Sequence, residues 1–295
     1  PIIPPTIVIN HSVFPKKAER RTPERIMNKR STFIFSMLCF GFAFLYIPIL
    51  LVIIYSFNDS RLVTVWGGWS IRWYIELFNN ENILNAALLS FRIAAISATV
   101  ATIFGTMAGL ILARLRAFKG RLLFTGMIAA PLVMPEVITG LALLLLFVSL
   151  QNLIGWPSQR GMNTITIAHI TFSMAYVAVI IQSRLTEINE SLEEAAMDLG
   201  ARPARVIWDI TLPIIFPAMI SGWLLSFTLS LDDLVIASFV SGPGATTLPM
   251  LIFSKVRLGI SPDINALATI LIVVVTIGVS IAGLVIHQQS KTKKV

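Results

Sequence analysis

The chain reads as an all-α, polytopic membrane protein with six transmembrane helices. It is 56% hydrophobic and only 13% charged, which is more apolar surface than a soluble core hides. Its apolar residues gather into six runs long enough to cross ~30 Å of hydrocarbon at ~1.5 Å per residue. Its lysines and arginines favour alternate connections, as they do in multi-pass membrane proteins.

The six runs lie near 32–56, 90–113, 122–150, 164–183, 214–231 and 266–286. A seventh apolar piece, 234–240, is too short to span and is either re-entrant or the end of a longer fifth helix. The N-terminal tail, 114–121, 184–213 and the C-terminal tail together carry seventeen Lys and Arg, while the other connections carry five. The excess marks the cytoplasmic side, so both termini and the 184–213 loop are expected there. Arg92, at the start of the second run, is left to snorkel toward the headgroups.

The basic charge is therefore topology and contact with the lipid bilayer, which disfavours a nucleic-acid function. The one cysteine, Cys39, sits in an apolar run, so no disulfide framework or Cys-rich metal site is expected. Residues 1–30 read as a basic, disordered cytoplasmic extension. They lack a proper apolar core and cleavage site for a signal peptide, and Met27 offers a natural start.

The most informative stretch is polar and lies between two apolar runs. In EEAAMDLGARPARVIWDITLP, residues 193–213, Ser191 is placed to cap a short helix with Glu194 closing a capping box. Gly200 is placed to end it in a left-handed conformation. Pro203 suits the first turn of a second helix and Pro213 its end. A compact helix-turn-helix in a loop is a docking element, or an interfacial helix that only closes the loop.

Three carboxylates stand out among the apolar runs. Glu136 falls deep in the third run between Pro135 and Gly140, with Pro131 upstream. An acid at that depth costs about 2.5–3.5 kcal/mol on insertion scales and faces a cavity or a partner. The prolines open the helix, so the reading is a cation site on a broken helix, or a structural acid paired with His169. Asp232 and Asp233 follow the fifth run near the outer face, where adjacent acids attract cations. One is expected to line a path and the other to be structural, with Lys255 and Arg257 as available partners. Ser241-Gly242-Pro243-Gly244 is expected to form a tight turn that serves as a hinge.

Ala101, Gly105, Gly109 and Ala113 repeat every four residues in the second run, a small-residue seam for close packing within or between subunits. Trp66, Trp69, Trp73 and Tyr74 crowd an outer loop as an interfacial anchor or a contact for an outside partner. No G-x-x-x-x-G-K-[ST] loop is present to cradle nucleotide phosphates. G-x-S-x-G, H-E-x-x-H and Cys/His clusters are also missing. The chain is not expected to be an enzyme, and no metal or cofactor is assigned to it.

Glu194-Ala195-Ala196, then Gly200, then Ile210-x-Leu212-Pro213 resembles the EAA loop of ABC-importer permeases. PLVMPEVITG, SLDDLVIASFVSGPGATTLPM and INALAT resemble the spermidine/putrescine permease group, most closely its second, putrescine-type subunit. The resemblance covers about 85–288, most of the chain outside the N-terminal extension. It implies that residues 31–295 are a permease domain with the fold of binding-protein-dependent (type I) importers. It implies a heterodimer with a homologous permease subunit in the bacterial inner membrane. It also implies two copies of a cytoplasmic ATP-binding subunit that use ATP and Mg, and a periplasmic polyamine-binding protein.

Carried onto this chain, ATPase coupling falls on Glu193, Glu194, Ala195, Ala196, Asp198, Gly200, Ile210, Leu212 and Pro213. The substrate path falls on Glu136, Asp232 and Asp233. The competing readings are an ABC permease for another small solute, an ion-driven secondary transporter and a membrane-embedded hydrolase.

Overall fold

The computed structural model describes residues 24–62, 65–115, 117–259 and 262–292. The remainder of the expected extension, residues 1–23, lies outside the described residues. Among the described residues the regular structure is helical, with one isolated bridge between Asn58 and Trp69.

Helix α1, Glu24–Tyr55, begins within the basic stretch assigned above to the extension. From Thr32 onward it is long and apolar enough to cross a membrane. The part before Tyr55 belongs to a compact unit of its own.

The second unit runs from Tyr55. Helix α2, Arg72–Phe78, precedes α3, Glu81–Arg114. The side chain of Asn80 accepts from the backbone N–H of Asn82 and Ile83. That cap starts α3 nine residues before the apolar run begins, because orphan N–H groups at a helix start need an acceptor.

The expected third span is two helices. α4, Arg121–Val133, ends at Met134, and α5, Glu136–Ile154, starts after Pro135. Pro135 disfavours helical backbone at Met134 before it and has no N–H of its own, so it opens α5 rather than lying inside a continuous helix. Helix α6, Met162–Glu187, follows.

The polar stretch then folds as α7, Ser191–Asp198, and α8, Pro203–Val206. A five-residue π turn, Ile207–Thr211, leads into α9, Leu212–Asp232. A short helix α10, Val235–Val240, a loop, α11, Leu248–Leu258, and α12, Pro262–Thr292, complete the unit. The apolar piece at 234–240 is therefore a separate helix behind a break at Asp233-Leu234.

Among the described residues, five helices, α1, α3, α5, α6 and the continuous stretch from Pro203 to Asp232, are long and apolar enough to cross a membrane. α4 and the described apolar part of α12, to Ile277, are shorter.

The core of the second unit is α3 against α6, with α9 closing the third side. A Cβ on Gly105 would lie 2.6 Å from Val177 Cβ, and one on Gly109 would lie 2.9 Å from the Ala178 carbonyl oxygen. Only glycine permits that approach. The Ala101–Ala113 seam is thus an internal one, against α6.

Trp73 is buried and its indole N–H donates to the Asn58 carbonyl at 2.6 Å, while Trp66 and Trp69 stay exposed. The aromatic loop is held at both ends, since Trp69 forms the bridge to Asn58 and Gly67 N–H donates to Asn58 Oδ1 at 2.7 Å.

Candidate functional site

Two places in the second unit gather the residues singled out by sequence. The first is the α7–α8 hairpin. Its end is a Schellman motif: Ala201 N–H donates to Ala196 C=O at 3.0 Å and Gly200 N–H to Met197 C=O at 2.9 Å. Gly200 has φ +89°, the left-handed conformation expected of it. Pro203 opens α8.

Two expectations for this stretch fail. Ser191 is the first residue of α7 rather than its cap, and no capping box with Glu194 forms. The side chain of Asn189 takes that role, accepting from Ser191 N–H at 3.0 Å. This Asx turn satisfies a first-turn donor from outside the helix. Pro213 does not stop a helix. The π turn before it lets Leu212 N–H reach back five residues to Ile207 C=O. Widening the helix there makes room for a proline ring that crowds the carbonyl four residues earlier in an α-helix. The hairpin is therefore continuous with the helix that becomes α9.

The nine expected coupling residues divide by environment. Glu194, Ala195, Asp198 and Gly200 are exposed, as is Pro213, whereas Ala196, Ile210 and Leu212 are half-buried. Glu193 turns inward, with its side chain 16% exposed. Arg114 Nη2 donates to Glu193 Oε1 at 2.9 Å, and Arg114 Nε lies 2.9 Å from Glu193 Oε2. Thr211 Oγ1 also donates to Glu193 Oε1 at 2.9 Å.

Sequence reading missed the large apolar side chains of this surface. Leu199 is 90% and Trp208 71% exposed, with Leu192, Met197 and Ile207 also uncovered. The available signal was bulky apolar residues in a polar loop with no run of their own to join. Such a patch with a polar rim marks a contact surface.

The second place is the break between α9 and α10. The adjacent aspartates take different environments. Asp232 is exposed, while Asp233 is 7% exposed at its side chain. Asp233 Oδ2 accepts from Ala237 N–H at 2.7 Å and Oδ1 from Ile236 N–H at 3.2 Å, which satisfies the open first turn of α10. His169 Nε2 lies 3.2 Å from Asp233 Oδ2, and His169 Nδ1 lies 2.6 Å from Ser230 Oγ. Ser97 Oγ donates to Ser230 Oγ at 3.0 Å.

His169 thus pairs with Asp233 and not with Glu136. Lys255 pairs with Asp263, not with the aspartate pair, and Arg257 stacks over the Phe253 ring. His169 lies seven residues into α6, so the aspartate break sits about 10 Å along that helix from its start.

Glu136 is the first residue of α5 and is exposed. An acid suits that position, since the helix N-terminus carries partial positive charge. One turn on, a Cβ at Gly140 would lie 2.8 Å from Phe239 and 3.4 Å from the Ile236 Cα. Gly140 is where α5 and α10 touch, and both acids precede that contact. On the far side, a Cβ at Gly242 would overlap the Arg160 carbonyl oxygen. Thr164 Oγ1 donates to Val240 C=O at 2.7 Å. The Ser241–Gly244 turn is clamped to the start of α6, and the expected hinge is a tight packing point.

Among the described residues the chain is a helical body, several of whose helices are long and apolar enough to cross a membrane, with a polar hairpin between two of them. Residues 105–294 match the model of the binding-protein-dependent transport system inner membrane component family, and the chain belongs to that family. It is 63% identical over 243 residues to the putrescine transport system permease protein PotI of Escherichia coli (strain K12), covering 82% of this chain and 86% of that one. It is 41% identical over 250 residues to the spermidine/putrescine transport system permease protein PotC of the same strain, covering 85% and 92%. Its fold is similar to a chain of a bacterial ABC transporter involved in the import of the acidic polysaccharide alginate. There the TM-score is 0.66 at 18% identity, over 93% of this chain and 99% of that one. It is also similar to a chain of the inward-facing MetNI methionine ABC transporter, with TM-score 0.57 at 16% identity over 72% and 95%.

Proposed function

We propose that this chain is the transmembrane permease subunit of an ATP-driven importer of polyamines. It forms one wall of the path beside a homologous permease subunit. Both termini and the α7–α8 hairpin face the cytoplasm, and two copies of an ATP-hydrolysing subunit grip the two hairpins. A solute-binding protein delivers the polyamine from the other side. ATP and Mg are handled by the partner.

The observation that carries this reading is the likeness, over four fifths of the chain, to relatives named for putrescine and for spermidine/putrescine transport. The chemistry agrees. A diamine is a dication at neutral pH, and moving it through a low-dielectric bundle needs carboxylates or carbonyls. Glu136 is an exposed acid at the start of α5, and Asp232 is an exposed acid at the end of α9. Asp233 has its carboxylate engaged by α10 and His169, so its role in the path is to hold the break that presents Asp232. Leu199, Trp208, Met197 and the exposed side of Glu194-Ala195 form the surface that docks the ATPase.

The test is reconstitution of the chain with its partner permease, ATPase and binding protein. ATP-dependent uptake of labelled putrescine or spermidine is expected, with none under an ion gradient alone. Uptake driven by the gradient without the ATPase refutes the reading.

A further inference from the structure

No residue of helix α7 is fully buried, and the half-buried apolar one, Ala196, is small, so apolar packing contributes little to holding it in place. What holds it is polar. Glu193 lies in its first turn and points back into the body, where three groups converge. Arg114, the last residue of α3, donates from Nη2 to Glu193 Oε1 at 2.9 Å and holds Nε within ion-pair distance of Oε2, also 2.9 Å. Thr211, 2% exposed in the π turn, donates to the same carboxylate. Arg114 Nη1 also donates to the Leu185 carbonyl near the end of α6 at 3.3 Å, and stands 3.6 Å from Glu190.

One guanidinium–carboxylate pair therefore joins the ends of α3 and α6, the start of α7 and the turn leading into α9. Each charge also suits its helix end: the acid opens α7 and the arginine closes α3. The pair is mostly enclosed, at 19% and 16% side-chain exposure, so solvent screens it less than a surface pair.

Resting on the transport reading above, we propose that Arg114 and Glu193 are positioning residues that transmit motion. A push on α7 reaches α3 and α6 through this pair, so the hairpin and the spans move as one body. The arrangement leaves the outer surface of α7 free to dock, since a single inward residue does the anchoring. Glu193 is thereby turned away from the outer surface of α7, and its part in coupling is to anchor the helix. Thr211 is the second anchor, and it ties the same carboxylate to the helix that continues into α9.

The test uses the full complex in proteoliposomes and reads polyamine imported per ATP hydrolysed, a ratio that a defect in membrane yield does not move. Arg114→Glu and Glu193→Arg are each expected to lower the ratio about tenfold, within the usual range of coupling between sites. The double exchange is expected to recover part of the loss, since the pair re-forms with both charges opposing their helix ends. Wild-type ratios in the single variants, or no recovery in the double exchange, overturn the proposal. If the charge variants do not assemble, Thr211→Val decides. It keeps both charges and is expected to lower the ratio several-fold, and a wild-type ratio there overturns the proposal too. A wild-type complex that imports no polyamine with ATP refutes the transport reading instead, so the two failures are distinct.

Discussion

His169 Nε2 lies 3.2 Å from Asp233 Oδ2, and both side chains are buried at the break between α9 and α10. The histidine's other nitrogen meets Ser230, which meets Ser97 on α3. In one arrangement Ser97 donates to Ser230, Ser230 to Nδ1, and Nε2–H to the carboxylate, so every polar group has a partner. The break is thus a satisfied polar joint between α3, α6, α9 and α10.

Removing the histidine leaves a buried carboxylate short of a partner. His169→Ala is expected to cost about 3 kcal/mol of stability, while Ser97→Ala costs about 1 kcal/mol. Thermal unfolding of the purified subunit, followed by loss of the monodisperse peak, reads the difference. Equal melting of His169→Ala and the parent contradicts the joint's role.

The seam between α3 and α6 gives a paired comparison. Gly105→Ala puts a methyl 2.6 Å from Val177 Cβ and 2.9 Å from the Met174 carbonyl oxygen. Overpacking of that kind costs about 1–3 kcal/mol. A methyl at Gly126 in α4 meets nothing within 4 Å, and Gly126→Ala is expected to stabilise the helix by roughly 0.5–1 kcal/mol. The same unfolding assay ranks them; the opposite order rejects the internal seam.

Trp208 and Leu199 are large apolar groups held out from the hairpin. If they dock the ATPase, Trp208→Ala removes an interface anchor, and such losses are about 2 kcal/mol or more, roughly thirtyfold in affinity. Titrating the ATPase onto reconstituted permease measures it. An unchanged affinity in both Trp208→Ala and Leu199→Ala shows that the contact lies elsewhere.

Neutralising the acid at the start of α5 separates path from scaffold. Glu136→Gln is expected to reduce putrescine uptake about tenfold, the loss of one favourable charge contact, with unfolding temperature unchanged because the side chain is exposed. Asp233→Asn is expected to act through stability as well, since its carboxylate caps α10. Uptake and melting of the two variants, measured side by side, check this; full uptake by Glu136→Gln removes it from the path.

Much of this was legible in the sequence because it is local or compositional. Hydropathy placed the apolar runs, the Gly200 turn and Pro203 start followed from backbone preferences of single residues, and Pro135 marked an opening in the third run. Hydropathy did not place the end of α4, because an apolar run of constant hydropathy contains no record of where its backbone turns. Pro213 misled for a similar reason: a proline's local preference is to interrupt a helix, and the π turn that absorbs it is set by the whole Val206–Leu212 segment.

The amino-acid order alone determined that the chain is a helical membrane protein with a polar hairpin between two spans, since these follow from transfer free energy and short-range backbone sterics. Only the tertiary structure decided who meets whom. Partners such as Arg114 and Glu193, or Ser97 and Ser230, are 79 and 133 positions apart, and no local preference selects them. Helix packing brings their ends together, and burial then makes each polar group find a mate; that is why Glu193 faces inward, His169 joins Asp233, and Glu136 is left open.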